Sequence, residues 1–160
     1  MLARLHVVLL HVFQRLPTWA RRRVVRTMAP SYTVGAMCFI ERDDGALLLV
    51  RQVYRKHWGV PGGLLERGED AADAARREVF EEVGLAVDLV GEACVVVDPE
   101  PQRVDVLYRA HVAAGTDPDD AEPRSPEIVD AQWFPRHGLP DLQHETASAL
   151  VAMARATSLT

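Results

Sequence analysis

The chain has 160 residues, 48% of them apolar and 26% charged, enough for one soluble globular domain with a proper core and too few for two. Six of its 18 basic residues and none of its 23 acidic ones fall in the first 30 positions, so the net charge of −5 becomes −11 over the remaining 130. An acidic body argues against nucleic acid as a partner, because that affinity comes from neutralising phosphates; an acidic protein acting on anionic phosphates needs cations in between.

Residues 1–30 read as a helical extension. Leu2, Leu5, Leu9, Val12 and Leu16 recur at helical spacing, Val8 and Phe13 widen the stripe, and Pro17 interrupts it. A second short helical piece is expected from Thr18 to about Met28, carrying Arg21, Arg22, Arg23 and Arg26. The segment is too short and interrupted to span a bilayer. It makes a poor signal peptide, since His6 and His11 break the apolar run and the basic cluster follows it. A cytoplasmic location follows as the expectation. The stripe calls for a cover, either the body of the protein or a second subunit in a homodimer. An alternative is peripheral binding of residues 1–28 to an anionic membrane.

Residues 31–160 read as the main domain. Ser31 to Ile40 is nearly continuous in apolar residues, the pattern of a central strand covered on both faces. Asp43-Asp44-Gly45 signals a turn, and Ala46 to Arg51 returns as a second strand. A loop with Tyr54, Arg55, Lys56, His57 and Trp58 then leads into Gly59-Val60-Pro61-Gly62-Gly63, whose glycines let backbone approach a ligand closely. Cys38 and Cys94 each sit in an apolar run without a second Cys or His at metal-ligand spacing, which predicts buried free thiols.

From Gly63 to Leu85 the chain reads as loop, helix and helix stop. Asp70 is the N-cap, Ala71 to Val83 are mostly good helix formers, and Gly84 stands where a left-handed C-terminal glycine belongs. At about 100° per residue, Ala72, Ala75, Val79 and Val83 share an apolar arc with Phe80 at its edge, and Glu78, Glu81 and Glu82 lie opposite. Like charges at i, i+3 and i+4 destabilise an isolated helix by a few tenths of a kcal/mol per pair. Something must gain from holding them together, and a hard divalent cation with oxygen ligands is the obvious candidate. After the helix, Ala86 to Asp98 and Arg103 to Val112 are strand-like. Residues 113–126 form a polar loop expected to be mobile, Ile128 to Phe134 is a short strand, and a last helix starts near Asp141 with Leu142, Leu150 and Met153 among its apolar positions.

The stretch resembles the signature of the Nudix hydrolases without a departure: Gly63, five residues, Glu69, seven residues, Arg77-Glu78, apolar Val79, any residue, Glu81-Glu82, any residue, Gly84, apolar Leu85. The resemblance implies an α/β/α sandwich, with a mixed sheet between the motif helix and the C-terminal helix. It also implies an enzyme that hydrolyses a diphosphate linked to a nucleoside, using Mg²⁺ or Mn²⁺. By motif position Glu78, Glu81 and Glu82 are the metal-side residues, and a backbone carbonyl at Gly62 or Gly63 completes the site. Arg77 belongs to the catalytic group and pairs with a neighbouring glutamate, while Glu69 and Gly84 are structural. Glu78 and Glu127 are the two candidates for general base. Arg51 and Arg55 are candidates for the substrate's phosphates. Tyr54 or Trp58 offers a stacking surface, unless Trp58 packs under the glycine loop. The short 113–126 loop favours a compact nucleotide, such as a (deoxy)nucleoside triphosphate. The alternatives are a nucleotide sugar, ADP-ribose or a lipid diphosphate, and a nucleotide-binding module without catalysis.

Overall fold

Strand β1 (Thr33–Ile40) is buried from Gly35 onward, and its successive side chains enter two different cores. The computed structural model describes residues 11 and 13–157. Ala36, Cys38 and Ile40 meet Ala74, Ala75, Val79 and Val83 of the motif helix, whereas Met37 and Phe39 face Ala149 and Met153 of the last helix. Strand β2 (Leu47–Gln52) repeats the division, with Leu48 and Val50 on the first side and Leu47 and Leu49 on the second. The two-residue period of an extended chain thus sets the three layers. Ile40, Leu48, Leu49, Leu85 and Leu107 are fully buried, and each such side chain contributes about 1.5–3 kcal/mol.

Strand β3 (Gly62–Leu64) lies antiparallel to β1, with Ala36 opposite Gly63. Strand β5 (Arg103–Val112) runs parallel to β1, and β4 (Val87–Asp98) antiparallel to β5, so the order β3-β1-β5-β4 is a mixed sheet. β2 and β6 (Ile128–Phe134) form a second, antiparallel pair, with a register shift between Arg51 and Gln52. The motif helix, Ala71–Val83, packs against β1 and β3, and the last helix, His144–Thr157, begins three residues beyond its expected start. The residues before Thr33 form a separate unit, whose helix α1 (Thr18–Met28) buries none of its residues. The motif helix is therefore α2 and the last helix α3. Most of the apolar stripe expected on residues 2–16 lies outside the described residues. Among the described residues no helix is long and apolar enough to cross a membrane.

Five local expectations need correction. Gly62–Leu64, read as loop, is a strand, because a Cβ on Gly62 would strike the Ala36 carbonyl and only glycine allows that approach. Phe80 is 55% exposed and Ala74 takes its place in the core, while Glu82 is buried at 6% exposure instead of joining the polar arc. Glu82 borders the apolar stripe three residues from Val79, and the turn at Gly62 closes over it. The polar 113–126 loop is fastened rather than free. Its 3₁₀ turn Pro118–Asp120 accepts the indole N–H of Trp133 at Pro118 (3.1 Å), and the N–H groups of Glu122 and Arg124 donate to the last-turn carbonyls of Val83 and Glu82 at 3.2 and 2.9 Å. Those carbonyls have no partner within the helix, so the loop supplies what the helix end lacks. Cys38 is buried as expected, with burial pushing its thiol up to about 12, but Cys94 on edge strand β4 is only half-buried.

Candidate active site

The N-terminus of α2 is set by Asp70, whose carboxylate accepts the Ala72 N–H at 2.8 Å. Its C-terminus is set by Gly84, left-handed at φ 75°, whose N–H donates to the Phe80 carbonyl at 3.0 Å. Between those stops the helix presents Arg77, Glu78, Glu81 and Glu82 to a cleft of about 730 Å³. Gly62–Leu64 of β3 lies against these side chains, Arg103 of β5 also lines the cleft, and exposed Tyr54, Arg55 and Glu127 form its rim.

Arg77 organises the carboxylates. Its Nε and Nη2 donate to the two oxygens of Glu69 at 2.7 and 2.9 Å, a two-pronged clasp. Nη1 donates to Glu78 at 2.7 Å and Glu81 at 3.1 Å, and Nη2 also reaches the Leu64 carbonyl at 3.2 Å. All three nitrogens are engaged, so Arg77 fixes the loop and two cleft carboxylates in one stroke. Glu69 additionally accepts the Glu66 N–H at 2.8 Å; the Arg77 hydrogen bonds first, and that N–H second, hold its carboxyl down to about 2. Arg77 thus pairs with neighbouring glutamates, and Glu69 joins the loop before α2 to the helix.

Glu82 differs from its neighbours. Its carboxylate accepts the Gly62 N–H at 3.1 Å beneath the glycine turn. Burial raises its carboxyl to about 8, the Gly62 N–H opposes that rise, and the charges of Glu78, Glu127 and Glu81 add to it. Gly63 lies against Glu78 so closely that a Cβ there would collide with the carboxylate. Tyr54 donates its hydroxyl to Glu127 at 3.3 Å, and the Glu127 carbonyl accepts the Val53 N–H at 2.8 Å, which draws this acid from the 113–126 side to the cleft.

Not every residue expected at the site is there. Arg51 pairs with Asp130 at 3.5 Å and lies 5.8 Å from the Trp58 ring, outside the cleft lining. Trp58 packs edge-on against Phe134 with centroids 4.9 Å apart, half-buried against the core beneath the last helix. The reading of Arg51 and Trp58 as substrate contacts is therefore corrected: strand register carries Arg51 to Asp130, and the glycine turn seats the indole inward. Conversely, Arg103, Gln52, Gln143 and Glu145 line the cleft and were not singled out. The one available signal was the pair Arg103 and Asp105, two apart at the start of a strand and hence on the same face.

The donor chemistry suits a hard divalent cation. Six glutamates line the cleft against three arginines, all with oxygen donors of the kind Mg²⁺ prefers. Burial first, and the nearby charges of Glu78, Glu127 and Glu81 after it, raise the Glu82 carboxyl, and a cation would offset both. Among the described residues no three acidic, Cys or His side chains already converge on one point.

Comparison with known proteins agrees with this geometry. A family model described as the NUDIX domain matches residues 31–153. A MutT-like protein of Streptomyces ambofaciens is 29% identical over 96 residues, 60% of this chain and 62% of that protein. The NAD-capped RNA hydrolase NudC of Pseudomonas fluorescens is 40% identical over 121 residues, 71% of this chain and 40% of that protein. The crystal structure of a MutT NUDIX hydrolase from Burkholderia pseudomallei superposes with a TM-score of 0.63 at 28% identity, covering 77% of this chain and 98% of that one. The match thus spans between two-fifths and just under two-thirds of the curated relatives' own length. With the complete motif on one helix, its glutamates gathered at the glycine turn, and the domain matched over residues 31–153, the chain belongs to the Nudix family.

Proposed function

We propose that this protein is a pyrophosphohydrolase cleaving the diphosphate linkage of a compact nucleotide, such as a (deoxy)nucleoside triphosphate. The observation that carries the reading is the gathering of Glu78, Glu81 and Glu82 at Gly62–Gly63, with Arg77 spending every nitrogen on orienting its neighbours. Relatives are named for 8-oxo-dGDP, NAD-capped RNA and diphosphoinositol polyphosphates. Family membership therefore points to the diphosphate bond and leaves the rest of the substrate to the loops.

Glu78, Glu81 and Glu82, with a backbone carbonyl at Gly62 or Gly63, would hold Mg²⁺ or Mn²⁺, whose charge offsets the negative charge that builds on the phosphoryl oxygens. Water attacks one phosphorus, a new P–O bond forms, and the anhydride bond breaks with the other phosphate as leaving group. Glu127 is better placed than Glu78 to take the proton from that water. Glu78 is tied to the Arg77 guanidinium at 2.7 Å, whereas Glu127 meets only the neutral Tyr54 hydroxyl at 3.3 Å. Tyr54, 60% exposed at the rim, is the surface left for stacking a base, since Trp58 packs on Phe134 outside the cleft lining. The 113–126 loop is fastened to the end of α2 and reaches the cleft lining through Ser125 and Pro126, which supports a small substrate.

The test is a panel of triphosphates, oxidised guanine nucleotides, nucleotide sugars, ADP-ribose, dinucleoside polyphosphates and isoprenoid diphosphates, with Mg²⁺ and Mn²⁺, compared by kcat/KM. A dinucleoside polyphosphate or lipid diphosphate leading by about tenfold or more refutes the compact-nucleotide reading. A protein that binds nucleotides and turns none of them over refutes the enzymatic one.

A further inference from the structure

The cleft holds three arginines, and they differ in what their donors are doing. Arg77 is fully committed to carboxylates and to the Leu64 carbonyl. Arg55 is bound at the rim to Glu145 at 3.3 Å, with both side chains partly exposed. Arg103 is anchored from behind: its Nε donates to both oxygens of Asp105, at 2.8 and 2.9 Å, and Asp105 is buried at 8% exposure. Its Nη1 and Nη2 have no hydrogen-bond partner among the described residues, although the side chain lines the cleft and is only 31% exposed.

The backbone has been cleared for this pair. A Cβ on Gly35 would lie 2.7 Å from the Asp105 carboxylate, 3.1 Å from Arg103 Nη2 and 3.2 Å from the Gly63 carbonyl oxygen. The guanidinium end thus stands against Gly35, next to the Gly63 carbonyl, and lines the same cleft as the glutamates of α2. Burying a carboxylate is costly unless it is paired, and here the pairing uses only the Nε of a side chain with five donors. The outcome is a pre-oriented fork with its unspent N–H groups facing the cleft, the geometry that grips a phosphate in two-pronged fashion.

We propose that Arg103 binds a phosphate of the substrate in the cleft that Glu78, Glu81 and Glu82 also line, and that Asp105 is its positioning residue. The proposal rests on the hydrolase reading for the identity of the ligand, a diphosphate, but not for the site. The glutamates accept the diphosphate only through cations; Arg103 offers a fixed positive charge directly. Arg103 then decides how strongly a diphosphate is held, and Asp105 acts only by aiming it.

The experiment compares Arg103→Gln, Arg103→Lys and Asp105→Asn with the wild type on its best substrate from the panel. Binding of imidodiphosphate, a non-hydrolysable diphosphate, with Mg²⁺ is measured in parallel by calorimetry. Loss of charge-assisted hydrogen bonds should raise both KM and the imidodiphosphate Kd about tenfold or more in Arg103→Gln, with kcat changed far less. Arg103→Lys restores part of the loss, because it keeps the charge without the fork. Asp105→Asn shifts KM in the same direction with Arg103 present, and neither effect follows from a purely structural role. Should Arg103→Gln fail to fold, Arg103→Lys carries the test. Wild-type KM and Kd in a folded Arg103 variant overturn the proposal. A protein that hydrolyses nothing yet binds imidodiphosphate through Arg103 sinks the hydrolase reading and supports the site.

Discussion

Glu82→Gln should remove activity and stabilise the metal-free fold together. The Glu82 carboxyl sits near 8 against an ordinary value of 4.5. A tenfold change in ionisation is worth about 1.4 kcal/mol, so holding this group ionised above pH 8 costs the fold roughly 4–5 kcal/mol. The sign follows from proton counts. Between pH 4.5 and 8 the folded state keeps this proton and the unfolded chain has lost it, so stability falls across that window and levels off above it. Glutamine keeps an oxygen for the Gly62 N–H and cannot ionise. In EDTA at pH 8.5 the variant should therefore melt on the order of 10 °C above wild type, with the two converging near pH 4.5. With Mg²⁺ present kcat should fall at least roughly 100-fold, because a charge that balances the phosphoryl transition state is weakened. Scanning calorimetry across pH, with and without Mg²⁺, beside steady-state kinetics, checks both halves. An unchanged pH dependence of Tm in Glu82→Gln would refute the burial argument, and near-wild-type turnover at saturating Mg²⁺ would refute the site assignment.

Arg77→Lys cannot clasp Glu69 and also reach Glu78 and Glu81, so kcat/KM should drop by about tenfold or more with a modest loss of Tm; wild-type kinetics would show that the carboxylates hold themselves. Glu127→Gln should lower kcat by about 10²–10⁴ and remove the acidic limb of its pH profile, and a retained limb would move the base to Glu78. In the native protein Cys94 should react with a thiol reagent at neutral pH while Cys38, its thiol near 12, stays protected until unfolding; two fast equivalents would contradict the burial of β1. Deleting residues 1–28 should leave kcat/KM unchanged and alter association state or solubility, read by gel filtration, since Thr33–Thr160 is a compact unit by itself. Identical behaviour with and without the segment would leave it no such role.

Local chemistry was legible in the sequence wherever neighbours along the chain decide it. Asp70 and Gly84 bounded α2, the nearly continuous apolar run of β1 announced a strand covered on both faces, and the spacing of Glu78, Glu81 and Glu82 pointed to the candidate site. Those are statements about residues close together along the chain, where propensity, capping and periodicity act. What depends on long-range contact was not legible. Glu82 looked like its neighbours until the turn at Gly62, twenty residues back, closed over it and took its carboxylate out of water. Arg51 and Trp58 looked as available as Arg55 and Tyr54 until strand register paired one with Asp130 and packed the other on Phe134. Arg103 entered the cleft only because β5 pairs in parallel with β1, which sets it opposite Thr33 and brings its guanidinium beside Gly63. A chain position fixes which donors a residue carries; tertiary packing alone decides which of them water, a partner or a substrate will meet, because desolvation and hydrogen-bond reach depend on distance in space rather than along the chain.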